Sequence, residues 1–165
     1  MPNNKEELIL EAYRRSEERL AVQQTMALAA DQRALTFSGL LFAAAAILAG
    51  LTENASDASS LFWTSGILVV SAAFAGWSAR PVDFGSAGGR FSSLKKDIED
   101  DVPHLNALQQ IGEYNDEHIS DNEVLMAKNG RLMRWSYFIA IFSPTPVLLQ
   151  KLKEFLQPIL TDWIC

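Results

Sequence analysis

ALTFSGLLFAAAAILAGLT, residues 34–52, is a run of 19 residues without a charged side chain. Coiled into an α-helix it reaches about 28 Å, close to the ~30 Å hydrocarbon core of a bilayer. A second run, ASSLFWTSGILVVSAAFAGWSA at 58–79, adds 22 uncharged residues. The polar side chains in the two runs are only Ser, Thr and Trp, which a membrane tolerates. Buried helices of a soluble bundle usually carry a polar stripe or run only about 10–14 residues. The two runs therefore predict an all-α fold built on an integral-membrane helical hairpin, with a first transmembrane helix at 34–52, an external loop at 53–60 and a second helix at 61–79. A soluble helical bundle is the competing reading. The 33 mostly polar residues before the first run do not fit a secretory signal, which starts within the first few residues. The segment is therefore expected to be retained.

Orientation follows from the basic residues. Lys5, Arg14, Arg15, Arg19 and Arg33 precede the hairpin, the 53–60 linker has none, and Arg80, Arg90, Lys95, Lys96, Lys128, Arg131 and Arg134 follow it. Positively charged flanks stay on the cytoplasmic side. The expected localisation is a bacterial inner membrane, multi-pass, with a cytoplasmic N-terminus. Trp63 and Trp77 stand near the two ends of the second run, where interfacial indoles are favoured. The Asn-Ala-Ser at Asn54 matches a glycosylation acceptor, but so short a loop beside the membrane gives it little weight.

A third apolar stretch, WSYFIAIFSPTPVLLQ at 135–150, is broken by Pro144 and Pro146. Each proline removes a backbone donor and pushes its predecessor away from helix. A third membrane-embedded segment is expected there. It either crosses fully or inserts halfway and continues into an amphipathic tail at 151–165 with Leu152, Phe155, Leu156, Ile159 and Leu160 at helical spacing. Pro158 weakens helix in the second half of that tail.

Residues 1–33 read as a cytoplasmic helical arm continuous with the first span, since no Gly or Pro occurs between Asn3 and Gly39. Leu8, Ala12, Arg15 and Arg19 line one side, and Leu10, Tyr13, Leu20 and Ala27 another. Glu11 stands three and four residues before Arg14 and Arg15, the favourable order for helical ion pairs. The arm is either a solvated stalk or one half of a coiled coil. Residues 80–103 read as a glycine- and serine-rich loop followed by a short acidic helix at 94–101 that stops before Pro103. The glycines at 85–89 lack the GK[ST] and the preceding strand of a phosphate loop.

From His104 a second long cytoplasmic helix, 104–134, reads through to about Phe142, with Gly112 and Gly130 as weak points. It carries the most specific pattern in the chain. Leu108, Asn115, Asn122 and Asn129 recur every seven residues, with Ile111, His118, Leu125 and Leu132 as companions. Asparagine in a coiled-coil seam weakens it but fixes register and strand number. Asn115, His118, Asn122 and Asn129 are thus the candidate association residues, facing either the arm of the same chain or other copies. Replacing Asn122 by Leu is expected to strengthen such a seam while scrambling it. In the hydrophobic runs, small residues at four-residue steps (Gly39–Ala43, Ala46–Gly50, Ser71–Ala75 and Ala72–Gly76) permit close helix approach. Gly39, Ala43, Ala72 and Gly76 are the candidate packing positions, within the hairpin or between copies.

Catalytic patterns are missing. His104 and His118 are separated by about four helical turns and cannot share a metal. The single cysteine, Cys165, offers neither a disulfide nor a cysteine zinc site. The acidic pairs Asp100–Asp101 and Asp116–Glu117 read as solvated faces. No Ser-His-Asp set, HExxH or GxSxG occurs, and the first two spans hold none of the ionisable side chains that ion carriers usually need. A hydroxyl-lined pore needs no such charge. The formal net charge of -6 argues against nucleic-acid binding. The expectation is a non-enzymatic protein with no cofactor.

Residues 29–35, AADQRAL, join arm to span and resemble the A-D-x-[KR]-A junction of the small Pycsar transmembrane effectors and related two-helix, SLATT-like membrane effectors of bacterial anti-phage systems. The later run NEVLMAKNGRLMRWS at 122–136 is similar to their C-terminal helix, which returns to the membrane with basic residues. The pairing of EAYRRSEERLAVQQTMALAADQRAL with WSARPVDF also resembles a group of uncharacterised small alphaproteobacterial membrane proteins. The resemblance spans the chain in architecture and about twenty residues in motif, with Asp31 and Arg33 at the membrane junction. It implies an inner-membrane protein that oligomerises or rearranges after a cyclic-nucleotide signal and impairs the membrane. The third apolar stretch and the tail depart from that pattern. The implied partners are the lipid bilayer, other copies of the chain, and a cyclic nucleotide or protein partner. A non-catalytic accessory or scaffolding subunit of a larger membrane complex is the alternative.

Overall fold

The computed structural model describes residues 4–54, 58–87, 95 and 97–164, with side chains described for all of these except 54 and 158–164. Among the described residues the regular secondary structure is entirely helical, without strands. It comprises α1 (Asn4–Leu51), a 3-10 turn (Thr52–Asn54), α2 (Ala58–Ser78), α3 (His104–Phe142) and α4 (Thr145–Ile164). Three helical stretches are long and apolar enough to cross a membrane, in α1, in α2 and in the segment from α3 into α4.

The arm and the first apolar run form one uninterrupted helix. Glu6 and Glu7 in its first turn oppose the partial positive charge of the helix N-terminus. Glu11 takes both expected partners, Arg15 at 2.8 Å and Arg14 at 3.2 Å. The hydrogen bond from Arg15, followed by the charge of Arg14, holds the Glu11 carboxyl below its usual range.

Compact packing divides the chain into two units. One is drawn from residues up to Ala30 and from Pro81 to Lys128, the other from Asp31 to Arg80 and from Asn129 onward. In the first, α1 turns Ile9, Tyr13, Ser16, Leu20, Gln23 and Ala27 away from solvent. Of the two sides read from the sequence, Tyr13, Leu20 and Ala27 of the second lie in this row, whereas Leu8 and Leu10 are exposed. On α3 the sheltered row is Leu108, Ile111, Asn115, His118, Asn122 and Leu125, the seven-residue pattern read from the sequence, with Ile119 beside it. Before α3, Lys95 and residues 97–99 are helical; the rest of the expected 94–101 helix that precedes Asp97 lies partly outside the described residues. Asp101 adopts φ 52°, and the Val102 amide donates to the Asp97 carbonyl at 2.9 Å, a left-handed C-terminal cap.

The second unit is packed the opposite way from a water-soluble domain. Its apolar centre consists of Leu41, Ala45, Leu68 and Ala72, flanked by Phe37, Leu48 and Ala140. Ala34 and Ala75 are buried beside it, and the buried polar side chains are all hydroxyls: Ser38, Ser60, Thr64, Ser65, Ser71, Ser78, Ser136 and Ser143. The large apolar residues Leu40, Phe42, Ile47, Phe62, Trp63, Val69, Phe138 and Ile141 are exposed. Water would penalise that arrangement at roughly 25 cal/mol per Å2 of apolar surface, whereas hydrocarbon would not. Interhelical small residues and hydroxyls with outward-facing bulk are what helix packing in lipid favours.

The helix break in the third apolar stretch lies at Ser143–Pro144, where α3 ends and the Leu148 amide donates to the Pro144 carbonyl at 3.0 Å. Pro146 falls in the first turn of α4, where the missing donor would have had no partner. Residues 147–150 therefore belong to the same helix as the amphipathic tail, so 150/151 is not a structural boundary. α4 runs past Pro158 to Ile164, further than the proline suggested, and packs against α2.

Candidate functional site

The polar seam of the first unit is built from two helices and one loop. Asn122 on α3 is only 1% exposed. Its amide nitrogen donates to Gln23 Oε1 on α1 at 3.2 Å and to the Gly85 carbonyl at 2.9 Å. Its amide oxygen accepts from the Gly85 backbone amide at 2.9 Å. The side chain thus reads both backbone groups of Gly85, as a neighbouring strand would, and uses three of its four hydrogen-bonding positions. Gln23 in turn donates to the Ile119 carbonyl at 3.3 Å.

One heptad earlier, Asn115 donates to Ser16 Oγ at 3.1 Å and to Glu17 Oε1 at 2.8 Å. The Ser16 hydroxyl in turn donates a hydrogen bond to the Tyr13 carbonyl at 2.8 Å. Burial, then the Glu17 charge, raises the Tyr13 phenol above its usual value. Outside these layers Arg19 and Glu123 form an exposed ion pair at 2.6 Å. Among the described residues of this unit, Leu20 and Ile119 are the buried large apolar side chains. Their burial supplies roughly 3–6 kcal/mol. The polar layers therefore carry much of what makes this pairing specific.

His118 faces the loop. A Cβ on Gly85 would lie 2.7 Å from His118 Cβ, Cγ and Nδ1, so a side chain there requires the backbone to move. The Tyr114 and His118 rings meet edge-on at 4.2 Å. Of the four seam residues expected from the sequence, the structure brings Asn115, His118 and Asn122 together in the first unit. Asn129 is half-buried on the next turn pair of α3 and belongs to the second unit. Sequence reasoning missed Ser16, Gln23 and Gly85. The first two are seven residues apart on α1, the same step as Asn115 and Asn122, and that shared step is a signal the sequence contains.

In the second unit the expected packing positions separate. Ala72 is fully buried and its carbonyl accepts from Ser38 Oγ at 2.9 Å. A Cβ at Gly76 would touch that same Ser38 Oγ at 3.4 Å. Gly39 and Ala43 are exposed, and nothing stands within 4 Å of a Cβ at Gly39. The first pair therefore packs inside the chain and the second faces outward. Ser65 donates to the Ala45 carbonyl at 2.9 Å, tying α2 to α1 one turn pair further along. Thr64 Oγ1 is the buried side-chain polar atom without a hydrogen-bond partner among the described residues. At the end of α2, Arg80 lies over the Trp77 ring at 5.4 Å. Asp31 is half-buried and its carboxyl is raised by burial, while Arg33 is exposed. The two form no ion pair with each other.

No family model, curated protein or solved structure matches the chain.

Proposed function

We propose that this chain is a non-catalytic protein of the bacterial inner membrane that acts by helix self-association, with its N-terminus and the polar seam in the cytoplasm. The observation that carries this reading is the pairing of an inverted unit, hydroxyls inside and bulky apolar residues outside, with an outward-facing Gly39–Ala43 step. Small residues left open on an apolar helix face let a second helix approach closely in lipid. The distribution of Lys and Arg supports the orientation.

The fuller form of this reading is an effector that associates and perturbs the bilayer in response to a cyclic nucleotide within an anti-phage system. Its support is the AADQRAL junction at 29–35 and the order of arm, hairpin, long helix and apolar end. The experiment is induced expression with a membrane-potential dye, with and without cyclic nucleotides, alongside sizing in mild detergent. Depolarisation and oligomers larger than one chain are expected. A monomer that leaves the potential unchanged in every condition overturns the reading.

An accessory or scaffolding subunit is the second reading. It is favoured by Leu8, Val22, Met26 and Leu28 on α1, all exposed in the first unit. Purification in mild detergent separates the two: a stoichiometric second protein supports a subunit, and a clean homo-oligomer counts against it.

A further inference from the structure

The pairing of α1 with α3 in the first unit has three properties that bear on how copies meet. It is parallel: Ser16 faces Asn115 and Gln23 faces Asn122, so residue numbers rise together on both helices. It is specified by polar layers seven residues apart, which demand a hydroxyl and then a carboxamide at the same spacing on the partner. Its buried large apolar side chains among the described residues are Leu20 and Ile119. A partner that satisfies Asn115 and Asn122 must therefore present Ser16, Glu17 and Gln23, or a close copy of them. The α1 arm of a second copy does so by identity. Two copies inserted in one membrane in the same sense present their helices in parallel, the orientation these layers require.

We propose that oligomers of this chain form by exchange of this pairing, with the α1 arm of each copy seated on α3 of its neighbour. The proposal rests on the self-association reading above and names its surface. Exchange re-forms the hydrogen bonds of Asn115 and Asn122 to α1 between two chains, so association sacrifices none of these, and a two-fold arrangement closes on itself. Confinement of both copies to one membrane raises the effective concentration at which the arms meet. The asparagines serve as a register key: a wrong arm, or the right arm shifted by one residue, leaves a buried carboxamide unpaired.

The test is disulfide trapping in a Cys165→Ser background. Ser16→Cys and Asn115→Cys are placed on separate, differently tagged full-length chains that are co-expressed and oxidised in the membrane; a double variant carries both on one chain. Exchange predicts a covalent heterodimer carrying both tags, at twice the chain mass. A Glu7→Cys with Asn115→Cys control pair, out of register, is expected to give none. An intrachain bond in the double variant with no heterodimer, while uncrosslinked protein still sizes as an oligomer, overturns the exchange and leaves self-association standing. A monomer in every sizing measurement with no heterodimer overturns both. Failure of the 16–115 bond in both arrangements overturns the register on which the exchange depends.

Discussion

Ser71 and Ser136 hold each other reciprocally. The Ser71 hydroxyl donates to the Ser136 carbonyl at 2.7 Å, and the Ser136 hydroxyl donates to the Ser71 carbonyl at 2.7 Å, with the two oxygens 3.1 Å apart. Both residues are fully buried, so α2 and α3 approach closely enough for each side chain to reach the other backbone. In lipid, interhelical hydrogen bonds of this kind are worth about 0.6–2 kcal/mol. Ser71→Ala and Ser136→Ala are each expected to cost about 1 kcal/mol, and the double variant close to their sum, because each hydroxyl donates to a backbone carbonyl that the other substitution leaves in place. Ser71→Leu should cost several times more by forcing the helices apart. Reversible unfolding in mixed micelles measures all four.

Asn122→Leu is expected to weaken the first unit, reversing the outcome foreseen from the seam alone. As an isolated coiled-coil position, Asn122 would gain stability on becoming Leu. Here its amide also satisfies the Gly85 amide and carbonyl, both of which lose their partner. A buried polar group left unpaired costs roughly 1–3 kcal/mol, which outweighs a leucine's gain. Hydrogen exchange at Gly85 is the direct readout, and it should speed by at least tenfold. Protection equal to the parent chain would show that the loop is held by something else.

Gly85→Ala places a Cβ at 2.7 Å from the root of the His118 side chain, which cannot swing away as the tip of a long chain would. Overpacking of this kind typically costs about 1–3 kcal/mol. His118→Gly or His118→Ala removes part of the obstacle, so the double variant with Gly85→Ala should recover much of the loss. Thermal unfolding of the parent, the two single variants and the double variant in detergent gives the coupling. Additive losses would place the cost in the loop's backbone rather than in His118.

The apolar helices long enough to span a membrane, the continuous arm and the extent of α3 were legible because each rests on local signals: charge-free length, absence of helix breakers and a seven-residue step. The partner of the step was not. Asn115 and Ser16, like Asn122 and Gln23, are 99 residues apart, and spacing within one helix says nothing about which other helix it meets. Which face of the arm is buried was not legible for a related reason. Leu10 is apolar yet exposed, whereas Gln23 is polar yet buried, because a partner satisfies its amide. Gly85 left no periodic trace, since its role comes from a side chain packed on it. The hydroxyls of the hairpin read as tolerated passengers, and only the packing makes them the contacts between helices.

Gly112 sits inside α3, where glycine costs about 1 kcal/mol relative to alanine through backbone entropy. Nothing stands within 4 Å of a Cβ at this position. It borders a cavity of about 180 Å3 in the first unit, lined by Ile9, Tyr13, Ser16, Leu108 and Asp116. Gly112→Ala should therefore stabilise the unit by about 1 kcal/mol without displacing a neighbour. Gly130, on the same helix and equally open, is the matched control. Its gain from alanine should be of the same size, because both gains come from the backbone rather than from contacts. A Gly112→Leu variant adds side-chain volume toward the cavity and should gain further only if the leucine turns inward against Ile9 and Leu108. Thermal melts followed by circular dichroism in one detergent rank the three. A loss of stability in Gly112→Ala, with Gly130→Ala behaving as expected, would mean that the helices close over Gly112 more tightly than this structure has them.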